Sequence, residues 1–272
     1  MSTEQTSRPS LNQGDSVHEA LGSDQARLAA GLCGLGGALL FFTGDMLFYG
    51  HIGPGDNFAR GALATVRQSS VERLFAGGLI GPIAACLCIL GFWHIYRNVK
   101  SEAQTLGRFM LAAFIAMMVA GSAVHTLWVA KGIAMKYCSV ASSDCANVLA
   151  FMRSYWNLAY DLSAAPGYLG AALVGWLVIS GKTIYPRWTI IANPAVLLLL
   201  SMSAVHLPAP FGAILVGGGT NLSIAAFFGV SMWTTRSSMS LIPPIVPRTR
   251  IDFRTGRPNE YPVHGIPATT KI

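Results

Sequence analysis

Apolar residues in this chain come in long blocks separated by short polar punctuation. Runs near 27–49, 73–96, 108–131, 158–180, 189–206 and 210–233 each approach the roughly 20 residues that a helix needs to cross hydrocarbon. The first begins at Arg27 and ends at Tyr49-Gly50, and the second follows Glu72 and Arg73 and closes on Tyr96-Arg97. A short polar hairpin, 97–108, joins the second to the third. The last two runs form one apolar stretch far longer than a bilayer is thick, divided by Pro208-Ala209-Pro210. Proline has no N–H to donate and clashes with the preceding turn, so the chain is expected to turn back there. The pattern therefore predicts an all-α fold, a polytopic membrane bundle of six transmembrane helices over 27–233. Residues 1–26 read as a disordered N-terminal tail, and residues 234–272 as a disordered, basic, Pro-rich tail. Residues 1–25 carry Glu4, Asp15, Glu19 and Asp24 and lack the apolar core of a cleavable signal. The first span is thus expected to direct insertion itself.

Composition points the same way. Hydrophobic residues make up 52% of the chain and charged residues only 11%, against about 25% charged in soluble domains. Too few solvated groups remain to cover a water-soluble surface. The excess of 19 Lys and Arg over 12 Asp and Glu raises nucleic-acid binding, but the basic residues cluster at the ends of apolar blocks and form no aromatic-basic stripe. Membrane lipids are the expected partners, and nucleic acid is not. With the N-terminus inside, only six of the 19 basic residues (Arg60, Arg67, Arg73, Lys131, Lys136 and Arg153) fall on outer segments. That bias places both termini in the cytoplasm.

Cys33, Cys86 and Cys88 lie within the first two spans, where small apolar packing accounts for them. Cys138 and Cys145 fall in the loop after the third span, which the charge bias places outside, and their close spacing suggests a disulfide. Glycines crowd spans one, two and six. Gly77 and Gly81 have the small-xxx-small spacing that brings helix backbones close, in one bundle or in a homo-oligomer.

An ionisable group near the bilayer centre costs about 2.5 kcal/mol or more, so each one needs a reason. Asp45, His125 and His206 lie toward the outer ends of outward-running spans, and Glu72, Arg73 and Asp161 at the outer starts of inward-running ones. Asn221 lies deeper in the sixth. The inner half has nothing comparable in the sequence, so a single outward-facing polar pocket built from Asp45, Glu72, Arg73, His125, Asp161 and His206 is the expectation. The tetrapeptide Ser-Ala-Val-His occurs at 122–125 and again at 203–206, with serine and histidine on one helix face each time.

The chemistry stays open. Two histidines with Asp45, Glu72 or Asp161 are ligand types for a divalent metal, yet no HExxH or paired CxxC is present, and the sequence specifies no cofactor. A Ser-x-x-His pair beside a carboxylate suits acid–base or nucleophilic work, as in a membrane-embedded hydrolase or isomerase acting on a lipid. A small-solute transporter would need polar groups continuing to the inner face. The same groups could also bond to one another and to Arg73, simply tying helices together. No Walker loop, dinucleotide fingerprint or selectivity filter appears. Through Gly44-Asp-Met-Leu-Phe-Tyr-Gly50, the His125 segment and Gly217-Gly-Gly-Thr-Asn-Leu-Ser223, the chain resembles an uncharacterised family of multi-pass membrane proteins, a domain of unknown function. The likeness covers about residues 27–233. It implies an all-helical membrane fold and supplies no reaction and no functional residue.

Overall fold

The structure is a computed structural model. It describes the backbone of residues 13–50, 57–138 and 143–240 and, Arg60 aside, their side chains from 24 to 236. The chain divides into a unit over 1–235 and a second unit over 236–272, and the latter falls outside the described residues from 241 onward. All regular elements among the described residues are helical: α1 (Gln13–Tyr49), α2 (Phe58–Gln68), α3 (Val71–Arg97), α4 (Gln104–Tyr137), α5 (Ser143–Ile179), α6 (Pro194–Met202) and α7 (Gly219–Ser240), with short 3-10 and π turns between them.

Four helical stretches are long and apolar enough to cross a membrane: Asp24–Tyr49, Val71–Arg97, Ser101–Tyr137 and Ser143–Ile179. They meander up and down, each packed antiparallel on the one before. Between α1 and α3 the contact is glycine on glycine. A Cβ on Gly34 would lie 2.4 Å from the Gly91 Cα, and one on Gly37 2.8 Å from the Ala84 carbonyl oxygen. At such an approach the two backbones touch, which only glycine allows. Next, α3 meets α4 through Gly78 against Val129 and through Phe92 stacked on Phe114 at 4.0 Å. In turn α4 meets α5 through Met117 against Gly167 and Phe114 against Gly170. The aromatic and Met core around Phe41, Phe92, Met110, Phe114 and Phe228 fills the middle.

Three features depart from the sequence pattern. The segment read as an outer loop, 50–72, contains the amphipathic helix α2, which buries Val66 against Leu74 and Gly132. Where the pattern draws a fifth span, 189–206, a 3-10 turn (Arg187–Ala192) leads into only nine residues of α-helix, then a second 3-10 turn, Ser203–His206. Asn193 caps α6, and its side-chain amide donates to the Ala171 carbonyl at 2.8 Å, fixing where that helix starts against α5. Lastly, α7 runs antiparallel to α1 between Asn221 and Met232: Asn221 meets Asp45, Phe228 meets Gly34 and Met232 meets Gly31, with Gly217 of the preceding π turn against Tyr49. It falls short of a span by hydropathy because its buried face carries Asn221, Ser223, Ser231, Thr234 and Thr235.

Candidate functional site

Asp45 sits on the last turns of α1, buried against α4 and α7. Its Oδ2 accepts a hydrogen bond from Asn221 Nδ2 at 2.7 Å. Its Oδ1 faces His125 Nε2 at 3.5 Å. His125 reaches this position because three glycines leave a slot for its ring. A Cβ on Gly81 would lie 2.5 Å from the His125 Cβ, one on Gly44 would lie 3.2 Å from its Cε1, and Gly77 offers its carbonyl to Nδ1 at 3.5 Å. Phe41 and Phe48 flank the ring at 4.8 and 5.8 Å between centroids. The Gly77–Gly81 spacing thus serves helix packing and a histidine together.

The hydrogen-bond logic of this pair constrains its protons. The Gly77 carbonyl can only accept, so Nδ1 carries a hydrogen. With that one proton alone, Nε2 would present a lone pair to a carboxylate. A second proton between Nε2 and Oδ1 turns that repulsion into a bond, whether it rests on the imidazole or the carboxyl. The pair then has no net charge in either arrangement, which suits its apolar surroundings.

The other sequence candidates are placed elsewhere. Arg73 is half-buried and turns to α1, not to a carboxylate: Nε donates to the Leu47 carbonyl at 2.6 Å and Nη2 to the Met46 carbonyl at 2.9 Å. These belong to the last turn of α1, where cations are favoured, and the Met46 carbonyl also accepts from Gly50 N–H at 2.9 Å. Glu72 is exposed at the start of α3. Asp161 is exposed on α5; it precedes Ser163, which bonds the Met117 carbonyl of α4, by two residues, about 200° around a helix. His206 is exposed at the end of the 3-10 turn, where the helix has already broken ahead of Pro208. Neither serine of the repeated tetrapeptide addresses its histidine, since Ser122 donates to the Val119 carbonyl and Ser203 to the Leu200 carbonyl. Among the described residues no three His, Cys, Asp or Glu side chains group as a metal site would require.

Past the Asp45 site, Lys131 is buried with Nζ 4.4 Å from the Trp128 ring centre and 4.1 Å from that of Trp156. Its ammonium is held between two indoles, a cation–π arrangement. Cys138 and Cys145 are free thiols. The neighbouring Cys145 side chain pushes the Cys138 thiol up from its ordinary value.

A second polar constellation, absent from the sequence reading, lies at the opposite end of the bundle, beyond roughly 20 Å of α3 between Gly81 and His94. His94 on α3, Asn98 capping its C-terminal end, Tyr185 in the α5–α6 connection and Ser231 on α7 are all buried, and Arg27 of α1 completes the group. His94 Nδ1 lies 2.8 Å from the Arg27 carbonyl and Nε2 lies 2.9 Å from Ser231 Oγ. Tyr185 Oη lies 2.6 Å from Ser231 Oγ, Asn98 Nδ2 donates to Tyr185 Oη at 2.7 Å, and Arg27 Nη1 donates to Asn98 Oδ1 at 3.4 Å. The carbonyl of Arg27 fixes the sense of the ring: Nδ1 donates, Nε2 accepts from Ser231, and Ser231 accepts from Tyr185. From His94 through Ser231, Tyr185 and Asn98 each ring hydrogen has a taker, and the ring closes on Arg27, whose buried Nε–H alone in the group lacks a partner among the described residues. Burial pushes the Tyr185 hydroxyl up to about 12, so it stays a donor. His94 and Asn98, four apart on one helix face, were the available sequence signal; the Tyr96-Arg97 pair beside them reads as an interface anchor and masks it.

A family model, that of a family of unknown function (DUF6796), matches residues 24–238. No curated protein and no solved structure matches the chain.

Proposed function

The chain belongs to this family of unknown function, and from that premise we propose that it is an integral multi-pass membrane protein whose working centre is the proton-exchanging pair Asp45–His125, steadied by Asn221. Four helices of spanning length support the membrane reading. So do the apolar side chains turned outward along them, Leu79, Ile83 and Leu90 on α3 and Val119 on α4 among them, a surface that water would penalise. With the whole stretch Arg187–His206 around α6 and α7 counted as further passes the number is six, and the basic-residue bias sets both termini in the cytoplasm and the Asp45 site toward the outside. On that side Cys138 and Cys145 meet oxidising conditions and form a disulfide.

The observation that carries the functional reading is the buried carboxylate facing an imidazole at 3.5 Å, with Asn221 on its other oxygen. Ionisable groups kept inside a membrane bundle mark proton and ion pathways. Here, releasing the shared proton leaves one negative charge in an apolar site, and an entering monovalent cation would restore neutrality. Small-solute transport coupled to protons follows more naturally than lipid hydrolysis or isomerisation. Both serines of the Ser-x-x-His pairs give their hydroxyl hydrogens to helix carbonyls, which leaves no activated nucleophile. The objection to transport, an inner half without polar groups, falls away with the His94–Ser231 ring.

The test is proton flux in liposomes containing the purified chain and a trapped pH-sensitive dye. Under an imposed pH gradient, with Na⁺, K⁺ or a small organic cation added outside, the native chain should release protons and Asp45→Asn should not. No cation-dependent flux from the native chain, or undiminished flux from Asp45→Asn, would overturn the proposal.

A further inference from the structure

At the end of the bundle away from Asp45, an open cavity of about 350 Å³ lies between α4 and α5. It is lined by Glu102, Thr105, Leu106, Phe109, Trp176 and Lys182. A short backbone pairing fixes its polar edge. Val99 bridges Thr183, Lys100 N–H donates to the Lys182 carbonyl at 2.9 Å, and Ile184 N–H donates to the Asn98 carbonyl at 3.1 Å. Lys182 also donates its own N–H to the Leu177 carbonyl at 2.8 Å, closing the end of α5. Glu102 is the middle residue of the 3-10 turn into α4 (Ser101–Ala103), two residues past the paired Lys100.

Two facts set this cavity apart from an ordinary groove between helices. It holds one carboxylate and one ammonium, and among the described residues the two are not ion-paired with each other or with anything else. Its apolar wall is turned outward: Phe109 is 65% and Trp176 61% exposed. Opposite charges that share a cavity without meeting leave room for a ligand carrying both signs, and an apolar wall beside them suits its hydrocarbon portion. Phospholipids with a phosphodiester and an amine have that form. A primary ammonium has three hydrogens for a carboxylate, and a quaternary one has none.

We propose that this cavity binds the headgroup of a zwitterionic aminophospholipid, with the phosphodiester on Lys182, the primary ammonium on Glu102, and the acyl chains along Leu106, Phe109 and Trp176. The proposal rests on the membrane reading above and not on transport. Thr105 is placed to bond the phosphate or an ester oxygen. The site orders a lipid against the α3–α4 and α5–α6 connections, beside the residues that close the His94 ring.

The test uses the full chain in detergent, with native mass spectrometry of lipid adducts. Phosphatidylethanolamine, phosphatidylcholine and phosphatidylglycerol of matched chains are offered singly, with free phosphoethanolamine as a further arm. Phosphatidylethanolamine should be retained about tenfold better than phosphatidylcholine, the worth of roughly one charge-assisted contact. Glu102→Gln should erase that preference, and Lys182→Ala should lower retention of both ethanolamine and glycerol lipids. Equal retention of the two zwitterionic lipids, a preference for phosphatidylglycerol, or indifference to both substitutions would overturn the proposal. Free phosphoethanolamine binding as well as the lipid would overturn it too, in favour of a soluble ligand. Both positions are at the surface, and unchanged helical circular dichroism confirms that the variants are folded. Extraction of the chain from cell membranes by alkaline carbonate would instead defeat the membrane reading; a chain that resists extraction yet shows no lipid preference defeats only this proposal.

Discussion

Replacing Gly81 with alanine tests the link between helix packing and the Asp45–His125 pair. An added Cβ would lie 2.5 Å from the His125 Cβ and 3.0 Å from its Cγ. Ordinary contact begins near 3.4 Å, so the two helices or the histidine must give way by 3.4 − 2.5 = 0.9 Å. The clashing atom is a Cβ fixed to the α4 backbone and has no rotamer in which to escape. If the shift carries the ring away from α1, its 3.5 Å separation from Asp45 exceeds 4 Å and the shared proton loses its second partner. Overpacking of this kind costs about 1–3 kcal/mol, offset by up to about 1 kcal/mol from alanine's better helix propensity. A net loss of about 1–2 kcal/mol is expected, read as a lower unfolding temperature in a single detergent. Gly36→Ala is the control: a Cβ there meets nothing within 4 Å, so that variant should be neutral or slightly more stable. The double variant Gly81→Ala, His125→Gly should cost less than the sum of its parts, because it removes the colliding atom. If Gly81→Ala proves as stable as Gly36→Ala, the glycine slot does not constrain His125.

Tyr185→Phe removes a hydroxyl that accepts from Asn98 and donates to Ser231, leaving two buried groups short of a partner at about 1–3 kcal/mol; an unchanged unfolding temperature would show that water fills the gap. With Tyr185 native, stability should be level up to about pH 10 and fall above it. The unfolded chain sheds that proton near 10 while the folded one holds it to about 12, and Tyr185→Phe should flatten that decline. Alkylation of intact protein without reductant should leave Cys138 and Cys145 unlabelled, and ready labelling of both would exclude the disulfide. Reporter fusions at residues 100, 140 and 185 should read inside, outside and inside; an outside signal at 100 would reverse the orientation.

Much of the helical scaffold was legible in the sequence because long apolar blocks can satisfy their backbone polar groups only within helices when water is excluded from them. The four helices long and apolar enough to cross a membrane match four apolar blocks, and Tyr96-Arg97, Asn193-Pro194 and Pro208 mark places where helices stop or start. Asp45 and His125 stood out for the same reason, as costly groups in apolar runs. The hydropathy of single segments could not tell which way a side chain turns about its helix. Asp161 and His206 lie at depths that looked equivalent, yet one faces out from α5 and the other follows a broken helix. Nor could it rate α7, whose polar residues are tolerable only because α1 and α3 cover them. Asn221 meets Asp45 across 176 residues and Ser231 meets His94 across 137. No local pattern encodes such pairings. They depend on glycines that let α1, α3 and α7 come close enough for buried polar atoms to find one another, and a low-dielectric interior makes each unpaired group costly enough to fix the partner.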